Sequence, residues 1–200
     1  MSGNGDAGGS FAALARGVRE QLDGQHRYAH SLRVARFAGR LARRHGEDPA
    51  RARFAGMLHD LARLYSVPRL LAECETRGLA IDDFEARNPI VLHARLGAEL
   101  ARERFGVTDS KILSAIARHT VAAADMSRLD TIVYLADGLE PGRTFADRAR
   151  HAELAFSDLE AAMTAVLSST VAYLHGRQLE IAPQTLAALA TARQRRPLSA

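Results

Sequence analysis

Apolar residues recur along this chain at intervals of three and four, and no stretch sustains alternation at every second position. That spacing predicts helices with one buried face rather than strands. A first helix is predicted from Phe11 to about Leu22. The next covers residues 25–45, with His30, Val34, Phe37 and Leu41 on one stripe. Polar punctuation divides the rest. Asp48-Pro49 reads as an N-cap followed by proline in the first turn, opening a helix to about Leu64. Ser66-Val67-Pro68 begins another that closes near Gly78. Asn88-Pro89 precedes one that runs through Phe105 and stops at Gly106. Asp109 caps a helix to His119, and Ser127 caps one to about Leu139. Asp158 starts a long helix to about Gly176, and a short one follows Pro183. Gly-rich residues 1–10 and the Arg-rich end, 192–200, are predicted to be disordered tails. The pattern predicts an all-α fold: a single helical domain over residues 11–191, without internal repeats.

Six polar residues sit where this pattern calls for apolar ones: His30, His59, Asp60, His93, His119 and Asp137. Asp60 follows Phe54-Ala55-Gly56-Met57-Leu58-His59, and Asp137 lies within Ile132-Val133-Tyr134-Leu135-Ala136-Asp137-Gly138-Leu139. His93 shares a face with Leu96 and Leu100, and His119 shares one with Ile112 and Ile116. A single core histidine is ordinarily satisfied by a backbone carbonyl. A carboxylate in such a run is different, because an unpaired buried charge costs several kcal/mol or more. Acids and imidazoles gathered together at that depth are most simply satisfied by a metal. The joint occurrence on five helical segments points to a buried, catalytic metal site.

Composition narrows the setting. Two hundred residues suit one domain, and 47% hydrophobic with 25% charged is ordinary for a globular protein. The pI near 9.8 suggests nucleic-acid binding, but the net charge is only +4 and the arginines are dispersed, so no nucleic-acid partner is expected. Cys74 is alone, which excludes a disulfide framework or a Cys-based zinc motif. No apolar run reaches the roughly 20 residues needed to span a bilayer. The first ten residues lack the apolar segment of a signal peptide, so a cytoplasmic setting is expected.

The order His30, His59-Asp60, His93, His119, Asp137 resembles the HD-domain metal phosphohydrolase superfamily. The flanking residues narrow the likeness: Arg27-Tyr28-Ala29-His30-Ser31, Gly56-Met57-Leu58-His59-Asp60, Leu92-His93-Ala94, Arg118-His119-Thr120, and Asp137-Gly138-Leu139-Glu140-Pro141-Gly142-Arg143. Together they resemble the YqeK-type bis(5'-nucleosyl)-tetraphosphatase (symmetrical) family over about residues 26–185. The chain departs from that family at Arg63, where lysine is usual, and at Val121-Ala122-Ala123-Ala124, where a glycine is usual.

The resemblance implies an HD-domain helical bundle that hydrolyses dinucleoside polyphosphates, chiefly diadenosine tetraphosphate to two ADP. It implies two transition-metal ions, iron first, with manganese or zinc compatible with the same residue types. One ion would take His30, His59, Asp60 and Asp137, and the other His93 and His119. Asp60 would bridge the pair and orient a metal-activated hydroxide. It also implies a nucleotide substrate and a homodimer. Arg27, Arg63 and Arg143 are candidate phosphate contacts because a guanidinium fork matches phosphate oxygens; Thr120 and Glu140 join them as substrate-binding candidates, and Glu140, on nearly the same face as Asp137, could instead orient a ligand or a water, or end the helix with a surface pairing. His26 shares the stripe of His30 and is a rival ligand. His45, His151 and His175 read as surface or helix-end residues. The alternatives are another HD phosphohydrolase, a nucleotidase or phosphodiesterase, and a non-catalytic HD-like binding module.

Overall fold

The computed structural model describes residues 7–22 and 25–195. The described residues are helical with no strand. In chain order the helices are α1 (Ala7–Gln21), α2 (Gln25–Arg44), α3 (Pro49–Leu58), α4 (Val67–Thr76), α5 (Asp83–Arg87), α6 (Leu92–Phe105), α7 (Ser110–Arg118), α8 (Arg128–Leu139), α9 (Arg148–Ser157), α10 (Leu159–Gly176) and α11 (Pro183–Arg195). A single 3-10 turn, Pro89–Val91, leads into α6.

The starts are set by side-chain caps. Asp48 accepts from the amides of Ala50 and Arg51. Asp109 accepts from Lys111, and Asp158 from Ala161. Ser127 and Asp130 form a reciprocal capping box at the head of α8. Each satisfies amides that the first helical turn leaves unpaired. Gly106 ends α6 in the left-handed conformation, with φ of 63°.

Helices α2, α3, α7 and α8 form the centre. The most extensive contact is between α2 and α3, and α8 lies against both. Gly56 permits that contact: a Cβ there would lie 2.9 Å from the Cα of Ala35 on α2. Helix α6 packs on α7 and carries α4 on its outer side, while α9, α10 and α11 follow one another along the α8 side. Leu41, Met57, Leu58, Leu61, Leu96, Ile116, Ile132 and Leu135 are wholly buried between these elements. No helix among the described residues is long and apolar enough to cross a membrane.

Several boundaries differ from the sequence expectation. Helix α3 ends at Leu58, not near Leu64. The chain then tightens through Leu61 N–H to Leu58 O and Arg63 N–H to Asp60 O. Adjacent residues on a regular α-helix point about 100° apart; leaving the helix lets His59 and Asp60 both turn inward. Helices α5 and α9 were not expected, one being a single turn and the other weakly apolar. Residues 7–10, expected to be disordered, belong to α1, whereas residues 1–6 lie outside the described residues. At the other end α11 runs to Arg195 and buries Ala188, Leu189 and Ala192, so the expected tail begins later. Alanine, glutamine and arginine are strong helix formers, which explains the extension. Residues 196–200 lie outside the described residues.

Candidate metal centre

His30 projects from the second turn of α2, and His59 and Asp60 from the turn after α3. His93 comes from the first turn of α6, His119 from the C-cap of α7, and Asp137 from the last turn of α8. Their donor atoms meet at one place. His30 Nε2 is 3.0 Å from Asp137 Oδ1, and His93 Nε2 is 3.2 Å from His119 Nε2. Asp60 stands between two groups. Its Oδ2 lies 3.8 Å from His30 Nε2 and 3.4 Å from His59 Nε2. Its Oδ1 lies 3.5 Å from His93 Nε2 and 3.9 Å from His119 Nε2.

The tautomers follow from what faces each Nδ1. His59, His93 and His119 direct Nδ1 to the carbonyls of Gly56, Ile90 and Ile116, at 2.9, 2.6 and 2.7 Å. His30 directs Nδ1 to Glu140 Oε1 at 3.1 Å. Every partner is an acceptor, so each Nδ1 carries the hydrogen. Each neutral ring then turns an Nε2 lone pair toward the others and toward two carboxylates. Lone pairs facing lone pairs, buried, need a cation or extra protons. The Thr120 hydroxyl is 3.2 Å from His93 Nε2 and 3.1 Å from His119 Nε2, and it has one hydrogen for the two. His30 Nε2 and His59 Nε2 have no hydrogen-bond partner.

Protonation offers only partial relief. Burial works against charge on Asp60 and Asp137, yet both are held well below the ordinary carboxylate range, by His59 beside Asp60 and by His30 and His59 beside Asp137. Burial pushes His93 down, and pushes His119 down to about 3 with help from His59 and His93. For His59 burial opposes the charge but Asp60 and Asp137 outweigh it, raising the pKa to about 9. One proton on His59 therefore leaves the His93–His119 side unsatisfied. Three groups, His30–His59–Asp60, His59–His119–Asp137 and Asp60–His93–His119, each place ligand atoms within 4.8 Å of one another. Atoms bound to one ion at about 2.0–2.2 Å each lie at most about 4.4 Å apart, so small side-chain shifts would bring each group onto an ion. Nitrogen and carboxylate donors without sulfur suit iron, manganese or zinc, so the residues fit a divalent metal.

The cluster forms the floor of a cleft of about 350 Å³. Arg27, Arg63 and Arg143, the candidate phosphate contacts from the sequence, line it. Arg27 Nη1 is 3.1 Å from Asp60 Oδ2. Arg143 donates through Nε to the Asp137 carbonyl at 3.0 Å and through Nη2 to its carboxylate. Thr120 also lines the cleft.

Glu140 does not, which corrects the expectation that it contacts substrate. It is 1% exposed and lies behind His30, where Arg33 holds it at 2.6 and 3.0 Å. Burial opposes its charge, but Arg33, the Gly142 amide and His30 bring its pKa down to about 2. His26 is exposed and outside the cluster, so it is no rival ligand. His45 donates to Ala155 O at 2.7 Å, and His175 is exposed. His151 is buried on α9, not at the surface.

Sequence reasoning missed Arg33, and also Tyr134, Val166 and Thr170, which line the cleft with Ile90 and Val91. Tyr134 could have been found, since it sits one helical turn before Asp137. Val166 and Thr170 belong to α10, far along the chain, and nothing local marks them.

A model of the HD domain family matches residues 27–142, a span that includes all six clustered residues. The symmetrical bis(5'-nucleosyl)-tetraphosphatase of Bacillus subtilis is 32% identical over 171 residues, covering 84% of this chain and 89% of that protein. The protein of the same name from Halalkalibacterium halodurans is 33% identical over 163 residues, covering 82% and 87%. A crystal structure described as a predicted HD superfamily hydrolase involved in NAD metabolism, from Clostridium acetobutylicum, aligns with a TM-score of 0.89 and 31% identity. It covers 93% of this chain and 98% of the other. With the fold, the His-Asp doublet and the matched span in agreement, this chain belongs to the HD domain family.

Proposed function

We propose that this protein is a metal-dependent hydrolase of dinucleoside polyphosphates that cuts diadenosine tetraphosphate symmetrically into two ADP. The names of its full-length relatives support the substrate. The observation that carries the chemistry is the cluster of four imidazole Nε2 atoms and two carboxylates, more acceptors than the protons they hold can satisfy, opening into a cleft lined by three arginines.

His30, His59, Asp60 and Asp137 would hold one ion, and His93 and His119 the other. Asp60 would serve both, because its two oxygens face different histidine pairs. We assign iron first, with manganese and zinc compatible with the same donors. When bound, two such ions supply Lewis acidity toward the phosphate oxygens and toward the water that is consumed.

The chain's own residues supply position and charge. Arg63 has no carboxylate partner among the described residues, so its guanidinium is free to take phosphate oxygens. Arg27 and Arg143 neutralise Asp60 and Asp137 from the cleft side and stand where incoming phosphates pass. The apolar wall of Ile90, Val91, Tyr134 and Val166 offers a surface for a nucleoside. With a nucleoside at each end of the substrate, the phosphate chain would cross the cleft with an inner phosphate over the cluster. One water then adds across the central P–O–P bond: the bond from water oxygen to an inner phosphorus forms, the bridging P–O bond breaks, and two ADP leave.

The test is chromatography of products from diadenosine tetraphosphate, using full-length protein purified anaerobically with its metal content measured. ADP as the sole nucleotide product is expected. ATP and AMP in equal amounts, or no hydrolysis by metal-loaded protein, would overturn the proposal.

A further inference from the structure

His59, His93 and His119 are oriented by their own stretches of chain. Each Nδ1 donates to the carbonyl three residues earlier, and those carbonyls lie at a helix end or in the turn before a helix, where a lone pair remains to accept. His30 has no such carbonyl. It sits within α2, where backbone carbonyls are engaged in the helix, and its partner comes from residue 140 instead.

That partner is itself tightly held. Glu140 Oε1 accepts from His30 Nδ1 at 3.1 Å and from Arg33 Nη2 at 3.0 Å. Oε2 accepts from Arg33 Nε at 2.6 Å and from the Gly142 amide. The carboxylate thus has two donors on each oxygen, in a 1% exposed position. Arg33 is one turn beyond His30 on α2, so its guanidinium pulls Glu140 against the face that carries the imidazole. Gly142 makes room for it, because a Cβ there would lie 2.6–2.8 Å from the Arg33 guanidinium. The end of α8 therefore addresses both nitrogens of one ring, Asp137 facing Nε2 and Glu140 facing Nδ1.

We propose that Glu140 is a positioning residue, locked by Arg33 and the Gly142 backbone, that holds the His30 ring so that its Nε2 lone pair faces Asp60 and Asp137. A substrate contact is the competing role, but Glu140 is absent from the cleft wall, and a carboxylate there would repel phosphate. A purely structural ion pair would need Arg33 alone and would not place an acceptor on the ring. The inference rests on the metal-centre reading given above, not on the identity of the substrate.

The test is titration of metal-depleted full-length protein with manganese(II), with free ion followed by electron paramagnetic resonance. Wild type is compared with Glu140→Leu, Glu140→Gln, Arg33→Gln and Gly142→Ala. Glu140→Leu should weaken one of two sites by about 10–100-fold, the usual effect of losing a hydrogen-bond partner of a ligating histidine, and leave the second site unchanged. Glu140→Gln keeps an oxygen for Nδ1–H and should recover most of that loss. Arg33→Gln and Gly142→Ala leave Glu140 in place and should weaken the same site by less, so they carry the test if Glu140→Leu fails to fold. Across the set KM should stay within about twofold while kcat falls with occupancy.

Wild-type affinity at both sites in Glu140→Leu, or a raised KM with metal retained, would overturn the proposal. Wild type that takes up no manganese would remove the metal centre and this inference with it. The titration reads the clamp whichever nucleotide is cut, so an error in the substrate assignment would appear in the product analysis alone.

Discussion

Replacing Gly56 by alanine tests how closely the centre depends on the contact between α2 and α3. The added Cβ would lie 2.9 Å from Ala35 Cα, 3.0 Å from Ala35 N and 3.2 Å from the Val34 carbonyl carbon. All three are backbone atoms, so no side-chain rotation relieves the clash. Carbon atoms rest at about 3.5–4.0 Å, and the helices must part by roughly 0.5–1 Å to restore that spacing. Overpacking of this kind costs about 1–3 kcal/mol, the upper end applying where backbone is struck. Alanine returns about 0.8–1 kcal/mol of helix propensity, leaving a net loss of about 2 kcal/mol. At about 2–4 °C per kcal/mol for a chain of this size, the melting temperature should fall by about 4–8 °C.

The same displacement should reach the metal centre. The Gly56 carbonyl holds His59 at 2.9 Å, and His30 lies on α2 little more than a turn before Ala35. Thermal melts of the metal-free protein, followed by circular dichroism, separate the packing loss from the metal loss. Gly176→Ala is the control, since nothing lies within 4 Å of its Cβ position; it should stabilise by about 0.4–1 kcal/mol. A Gly56→Ala protein that melts at or above the wild-type temperature would refute the reasoning.

Chelation should lower the melting temperature while leaving the chain helical, because only the folded state brings the six donors together; ion at 100–1,000 times Kd is worth about 3–4 kcal/mol, and an unchanged melt after verified metal removal would contradict this. Asp60→Asn should abolish hydrolysis and reduce metal content, read by turnover and elemental analysis, because Asp60 oxygens face both histidine pairs. Arg63→Gln should lower kcat/KM by roughly 10–100-fold, one charge-assisted contact of about 1.5–3 kcal/mol, with metal content unchanged. Burial raises the Tyr134 pKa to about 12, so its folded state favours the neutral phenol. That stability is complete below the unfolded value near 10 and is lost as pH rises from 10 to 12, by about 2–3 kcal/mol. Denaturant melts of Tyr134→Phe should lack this alkaline component.

The all-helical fold was legible because its evidence is local. Period, caps and stops such as Asp109, Ser127 and Gly106 act within a turn or two of themselves, and the structure has them where the sequence places them. The six polar residues were legible for a related reason: each is conspicuous on its own apolar face before any tertiary contact is known. The end of α3 was not, because inward rotation of both His59 and Asp60 is decided by partners on other helices. The place of Glu140 was not either. Three residues after Asp137 it reads as belonging on the same face toward the cleft, but the chain leaves the helix at Glu140, with ψ of 150°, and Arg33 draws the carboxylate behind His30. Nothing near Arg33 or Glu140 in sequence announces a pairing across 107 positions.

The wide separation of the clustered residues bears on how the protein is made. His30 and Glu140 are 110 positions apart, and at ribosomal rates of about 5–20 residues per second the second follows the first by about 5–22 seconds. Through that interval α2 and α3 can associate, but the nascent chain has no complete nest to offer an ion. The full donor set is assembled only after Glu140 has been made, so an ion that uses His30 would be taken up late. Metal uptake would displace any protons that the imidazoles and carboxylates carry, so maturation would end with their release to solvent.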